Sequence, residues 1–82
     1  MKSWEAFQRA MDDKVQRIEG SYADEKGGFC ARGLLLHYGI DPERLSSRIW
    51  ADHGANGGIV MANDVLHWTW KQFRDYAKKY DL

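Results

Sequence analysis

The sequence predicts an all-α protein, a compact single-domain bundle of four or five short helices that spans residues 1–82. Apolar residues recur every three or four positions in several segments, which is the repeat of a helix with one buried face. Helix-start signals precede some of these segments. One short apolar run also fits a strand, but the sequence offers no second strand to pair with it, and a lone strand is unstable.

The first helix is predicted over residues 4–19. Ser3 can cap it, and Glu5 lies in its first turn, near the positive end of the helix dipole. Gly20 is expected to end it. Its inward stripe consists of Trp4, Phe7, Met11, Val15 and Ile18.

The second helix is predicted to begin near Phe29 and to end before Gly39. Glycine inside a helix costs about 1 kcal/mol relative to alanine. We therefore expect Gly33 to lie against another helix, near Phe7 or Met11. One face of the second helix carries Cys30, Gly33, Leu34 and His37, and Leu35 and Leu36 widen its apolar side.

The rest of the chain predicts three more helical segments. Asp41 is the expected N-cap of the third helix, with Pro42 as its first residue. The run "IVMAND", residues 59–64, is interpreted as helix, and Thr69 caps the last helix. Inward positions are Leu45, Ile49 and Trp50 in the third helix, and Trp70, Phe73, Ala77 and Tyr80 in the last.

Charge and composition exclude several classes of protein. Twelve basic and twelve acidic residues cancel, so no overall field draws the chain to nucleic acid or to an anionic membrane. A single cysteine excludes an internal disulfide and fits a reducing compartment, so we expect a cytoplasmic protein. No apolar stretch approaches the ~20 residues of a membrane span, and the charged N-terminal residues do not form a signal peptide.

Two short motifs resemble those of a group of small phage and bacterial proteins to which no activity is assigned. The first is aromatic–Cys–x–x–Gly–aliphatic; the second is Asn-Asp followed by a helix that opens with Thr and an aromatic residue. Arg32 departs from the small or apolar residue usual in that group. The resemblance implies a phage or prophage accessory protein with a role in host interaction. The matching residues are Phe29, Cys30, Gly33 and Leu34, then Asn63, Asp64, Thr69 and Phe73.

Several residues have both a chemical and a structural interpretation. Cys30 at a helix start could be a nucleophile with His53 or His67 as base, but a buried structural thiol is favoured. The glycine-rich run 53–58 fits a tight turn better than a phosphate-binding loop, because it lacks the Lys and Ser/Thr of a P-loop. Asn63-Asp64 is interpreted as a cap-and-turn pair. Paired Cys or His ligands at metal-binding spacing are absent, and no metal or cofactor is expected.

The function predicted from these observations is binding of another protein, from host or phage, or of a second copy of the chain, without catalysis. The expected contact residues are His67, Trp68, Lys71 and Arg74, because a tryptophan beside cations is typical of an interface. One alternative is a small DNA-binding protein that uses the face of Lys71, Arg74 and Lys78 on the last helix. A cysteine-dependent enzyme is the other alternative.

Overall fold

A computed structural model describes residues 1–54 and 57–82 of the chain. This part contains α1 (Ser3–Asp12), α2 (Ala31–His37), α3 (Glu43–His53), α4 (Ile59–Asp64) and α5 (Trp70–Lys79). Outside these helices, the described backbone forms isolated β-bridges that pair Phe29 with Arg17 and with Ala23. The predicted all-α bundle is confirmed. None of the described helices is long and apolar enough to cross a membrane.

The core is centred on α1 and α5, which pack side by side in opposite directions. The Ser3 N–H at the start of α1 donates to the Leu82 carbonyl, just beyond α5, at 2.6 Å. Between the two helices, the Phe7 ring stacks on Phe73 with centroids 5.1 Å apart. All five helices contribute to the buried cluster of Ala6, Phe7, Ala10, Ala31, Leu34, Leu35, Leu45, Ile49, Ile59, Ala62, Trp70, Phe73 and Ala77.

α1 ends at Asp12, so the prediction that it continues to residue 19 and stops at Gly20 is wrong. Lys14 takes a left-handed conformation with φ of 54°. The Val15 N–H then donates back to the Ala10 carbonyl at 2.9 Å. This is the Schellman arrangement, in which the left-handed residue is usually glycine. Because a lysine occupies that position, the residue type does not mark the end of the helix.

An extended segment replaces the last turns predicted for α1. Ile18 donates its N–H to the Phe29 carbonyl at 3.1 Å, and the Phe29 N–H donates to the Gln16 carbonyl at 3.0 Å. Val15 still packs against the core, and Ile18 is partly buried. The apolar residues therefore remain covered although the backbone is not helical.

Cys30 caps the N-terminus of α2 and is only 5% exposed. Its Sγ accepts the Gly33 N–H at 3.3 Å. The thiol thus satisfies one of the free N–H groups of the first turn, as a Ser or Asp side chain does at most helix starts.

Gly33 makes the close contact that its position predicts, but the partner is a loop. A Cβ on Gly33 would lie 1.9 Å from the carbonyl oxygen of Tyr22. That carbonyl accepts the Cys30 N–H at 3.2 Å, which fixes the loop against α2. The assignment of the contact to Phe7 or Met11 of α1 is wrong.

α3 begins one residue later than predicted. Pro42 is its N-cap, and the Asp41 carboxylate accepts the Glu43 N–H at 3.0 Å. Leu45 and Ile49 are buried, as predicted.

Two apolar residues that were predicted to face inward are exposed instead. Trp50 is 56% exposed and Leu36 is 48% exposed. Each directly follows a buried residue, and consecutive helical residues point about 100° apart, since a turn holds ~3.6 residues. In these two pairs the buried face of the helix includes the first residue and not the second.

The helical interpretation of residues 59–64 is confirmed by α4. α4 crosses α3 at Ser46, whose hydroxyl accepts the Ile59 N–H at 3.0 Å. A Cβ on Gly58 would lie 2.2 Å from the same hydroxyl oxygen, so the crossing requires glycine there. In the glycine-rich run 53–58, residues 55–56 lie outside the described residues, and the alternative of a phosphate-binding loop falls partly on them.

α5 begins where the sequence predicts. The Thr69 hydroxyl accepts the Gln72 N–H at 3.2 Å, and the Gln72 side-chain oxygen accepts the Thr69 N–H at 2.8 Å. This reciprocal pair is a capping box. Trp70, Phe73 and Ala77 are buried, and Tyr80 is partly buried.

Asn63 joins three parts of the chain through its buried amide. Its oxygen accepts the N–H of Ala31, the first residue of α2, at 3.1 Å. Its Nδ2 donates to the Ile18 carbonyl at 2.8 Å and to the Asp64 carboxylate at 2.7 Å. Asp64 in turn accepts the Gly20 N–H at 3.3 Å. The predicted local cap-and-turn role is wrong, because most of these bonds reach residues far along the chain.

Replacing Gly33 with Ala is expected to destabilise the protein. The added methyl group meets a backbone carbonyl, and overpacking of this kind costs about 1–3 kcal/mol, which exceeds the helix-propensity gain of about 1 kcal/mol. Urea unfolding measures the difference. Ser47→Ala on the exposed side of α3 is the control, because it changes helix propensity at a position where the side chain is exposed. A Gly33→Ala protein as stable as wild type would contradict the close approach to Tyr22.

Replacing Asn63 with Ala is expected to lower the free energy of unfolding by about 2–4 kcal/mol. The change leaves the Ala31 N–H and the Ile18 carbonyl without their partner, and each buried unsatisfied group costs about 1–3 kcal/mol. Guanidinium unfolding checks it, with Gln16→Ala in the exposed part of the extended segment as control. A loss no greater than that of the control would show that the amide does not hold these segments together.

Candidate functional site

A groove of about 650 Å³ lies between α3 and α5, and we call it the α3–α5 groove. It is larger than the hollow of about 380 Å³ beside Trp50. The two helices are joined across it by side chains. The groove is lined by Asp52, His53, Trp68, Gln72, Asp75, Tyr76, Lys79 and Tyr80.

Trp68 forms one end of the α3–α5 groove. The turn after α4 positions it, because its N–H donates to the Ala62 carbonyl at 3.0 Å. The indole is half-buried, with its centroid 5.2 Å from the rings of Phe73 and Tyr76 and 5.3 Å from His53. Its indole N–H has no acceptor among the described residues, and no buried side-chain nitrogen there lacks a partner.

Asp52 lines the groove and bridges α3 to α5. The hydroxyls of Tyr76 and Tyr80 donate to its Oδ2 at 2.6 and 2.5 Å. Arg48, one turn earlier on α3, donates to its Oδ1 at 3.1 Å. The Arg48 guanidinium also lies 4.4 Å from the centre of the Tyr80 ring. These contacts set the distance between the two walls of the groove.

The hydrogen bonds to Asp52 shift the protonation of the bridge. Donation from Tyr76, then from Tyr80 and Arg48, lowers the pKa of Asp52 from 3.8 to about 2. Burial, together with the bond to Asp52, raises the pKa of Tyr76 well above its usual range. At neutral pH the carboxylate is therefore charged and the Tyr76 phenol keeps its proton, so the bridge is intact.

His67 faces away from the α3–α5 groove. Its Nδ1 lies 2.5 Å from the Glu19 carboxylate, which Arg17 also contacts at 3.1 Å. The hydrogen bond from His67, followed by that from Arg17, lowers the pKa of Glu19. His67 also has a positive φ of 56°. This residue thus attaches the turn after α4 to the extended segment and does not share a surface with Trp68.

The basic face predicted on α5 is partly engaged with α1. Arg74 donates to the Gln8 side chain at 2.8 Å and pairs with Asp75 at 2.8 Å. Lys78 lies 4.8 Å from the centre of the Trp4 ring. Lys71 is exposed and does not line the groove. The four residues predicted as one contact surface, His67, Trp68, Lys71 and Arg74, therefore point in different directions.

Sequence reasoning missed the bridge across the groove. Arg48 and Asp52 are four residues apart in α3, as are Tyr76 and Tyr80 along α5. That spacing places each pair on one helix face, which is a signal that the sequence does contain. The spacing does not say that the two faces meet.

The three histidines of the chain, of which His53 and His67 were the candidate bases for Cys30, have other neighbours. The His37 ring packs against Phe29 and Tyr38, with centroids 4.8 and 5.1 Å apart. His53 contacts Trp68, and His67 pairs with Glu19. In the ranges 1–54 and 57–82, no group of three His, Cys, Asp or Glu side chains is arranged to hold a metal ion.

Replacing Asp52 with Asn is expected to lower the melting temperature at neutral pH, with an effect that depends on pH. Because the folded-state pKa is below the ordinary value of 3.8, the stabilisation is present above pH 3.8 and is lost as the pH falls towards about 2. The difference between Asp52→Asn and wild type should therefore shrink over that range in thermal unfolding. Asp13→Asn, at an exposed position after α1, controls for the lost charge. A difference that stays constant would contradict the bridge.

Comparisons of the chain with protein-family models, curated proteins and solved structures found no match. The resemblance to small phage and bacterial proteins stays a prediction.

Proposed function

We propose that this protein is a non-catalytic binding module that holds another protein in the α3–α5 groove, with Trp68 as the anchor. The half-buried Trp68 ring in the wall of the α3–α5 groove is the observation that supports this proposal most directly. Tryptophan and tyrosine are enriched among the residues that dominate interface energies, especially in pockets. A ring that is already packed against Phe73 and Tyr76 loses little conformational freedom on binding.

Trp50 is the competing anchor, because it is the more exposed of the two tryptophans. Its ring makes no aromatic contact with the described residues, and its neighbours in the smaller hollow include Arg32 and Gly57. Binding there would have to order a free side chain, which costs about 0.5–1.5 kcal/mol. The preorganised ring of Trp68 favours the α3–α5 groove.

The proposed mechanism is steric. The Asp52 bridge holds the groove walls at a fixed separation, so a bound protein segment meets a rigid surface. While its segment lies in the groove, the partner cannot use that segment to bind other molecules. No covalent step is needed. As a phage- or prophage-type accessory protein, the module would act on a host or defence component.

Replacing Trp68 with Ala is expected to weaken partner binding by about 2 kcal/mol, which is roughly 30-fold. Affinity capture from a lysate of the encoding organism, with wild type, Trp68→Ala and Trp50→Ala as parallel baits, identifies proteins that Trp68 retains. Titration of the purified partner then measures the loss. Trp50→Ala is the matched control and should bind as wild type does.

Trp68 also packs on Phe73, so Trp68→Ala is expected to lose some stability. Trp68→Phe keeps the ring packing and removes the indole N–H, and circular dichroism verifies that each variant is folded. A partner lost with Trp50→Ala and kept with Trp68→Ala would contradict the proposal. A dimer of the chain that Trp68→Ala dissociates would make the partner a second copy.

A further inference from the structure

The free polar groups of the α3–α5 groove are mainly hydrogen-bond donors. Gln72 uses its side-chain oxygen to cap α5, which leaves its Nε2 amide free. Lys79 makes no ion pair with the described residues, and its ammonium lies 5.3 Å from the centre of the Tyr80 ring. The indole N–H of Trp68 also has no acceptor among residues 1–54 and 57–82. Donors therefore line the groove from one end to the other.

The carboxylates of the groove are largely occupied. Both oxygens of Asp52 accept hydrogen bonds from Arg48 and the two tyrosines. Asp75 pairs with Arg74, whose Nη2 and Nε lie 2.8 and 2.9 Å from its Oδ1. Each of these negative charges is balanced by an arginine of its own helix, whereas the positive charge of Lys79 has no such partner.

We propose that the α3–α5 groove binds an acidic protein segment, in which an Asp or Glu carboxylate pairs with Lys79 and a neighbouring apolar side chain packs on Trp68 and Tyr76. This inference rests on the proposed function and adds the chemistry of the partner. Free donors select carboxylates and main-chain carbonyls, and the aromatic end selects an apolar side chain.

The length of the groove sets the spacing of the recognised residues. Gln72 lies beside Trp68 at the aromatic end, and Lys79 is seven positions further along α5. Seven helical residues span about 10 Å. An extended segment covers that distance in about three residues, at ~3.3 Å each. The segment therefore carries its acidic residue about three positions from its apolar residue.

A random peptide library displayed on phage, selected against the purified protein, tests this chemistry. The selected peptides are expected to share an acidic residue two to four positions from an aromatic or aliphatic one. The affinity of the best peptide is then measured by isothermal titration, beside its Glu→Gln or Asp→Asn counterpart. Wild type is compared with five variants as the binding protein: Trp68→Ala, Trp68→Phe, Lys79→Gln, Asp75→Asn and Lys26→Gln.

Lys79→Gln is expected to weaken binding about two- to fivefold, the usual effect of one exposed ion pair. It should also abolish the preference for the acidic peptide over its neutral counterpart. Asp75→Asn should tighten binding, because it removes a carboxylate that lines the groove and repels the incoming one. Lys26→Gln removes the same charge from an exposed turn outside the groove and should change nothing.

The outcomes separate this inference from the proposed function. Two results would overturn the acidic partner and leave the groove as the binding site. One is that peptide binding requires Trp68 but is unchanged in Lys79→Gln. The other is that the selected peptides are basic and bind Asp75→Asn more weakly than wild type. Peptides that bind Trp68→Ala and Trp68→Phe as tightly as wild type would overturn both. A selection that yields no peptide specific for the wild-type groove would count against both as well.

Discussion

The buried amide of Asn63 is the interaction on which the rest of this structure depends. α2 has seven residues and α4 has six, and helices this short are unstable in isolation. The amide joins α4 to the first N–H of α2 and to the carbonyl of Ile18. The Asn63 carbonyl also accepts a hydrogen bond from Arg17 at 2.7 Å. Tertiary hydrogen bonds thus hold together helices that the local sequence cannot maintain.

The same constraint positions the candidate binding surface. Because α4 is fixed at Asn63, the chain leaves it at a defined place and turns through His67, whose ring is held by Glu19. The next residue is Trp68, which bonds to the Ala62 carbonyl and extends its ring over α5. On the far side, the Asp52 bridge sets the position of α3. Both Trp68 and the α3 wall of the groove are therefore held by polar contacts between segments distant in sequence.

The sequence predicts the features that short-range rules control. The start of α5 follows from Thr69 as its N-cap, and the buried stripe of Phe73 and Ala77 follows from the helical repeat. The end of α1 does not, because Lys14 takes a conformation normally given to glycine. The partners of Asn63 and Asp52 also escape prediction, because both depend on contacts between separate helices. A periodic pattern identifies the buried face of a helix, but it does not identify the other helix against which that face packs.

The indole signals of the four tryptophans test the central claim, that a partner binds at Trp68, most directly. In a ¹⁵N-labelled sample, Trp→Phe variants assign each indole N–H, and an acidic peptide from the library selection is then added. The indole N–H of Trp70 is bonded to the Val15 carbonyl at 2.7 Å and serves as an internal reference. We predict that the Trp68 signal shifts with saturation while those of Trp4, Trp50 and Trp70 remain in place. A shift of Trp50 with an unchanged Trp68 would contradict the account.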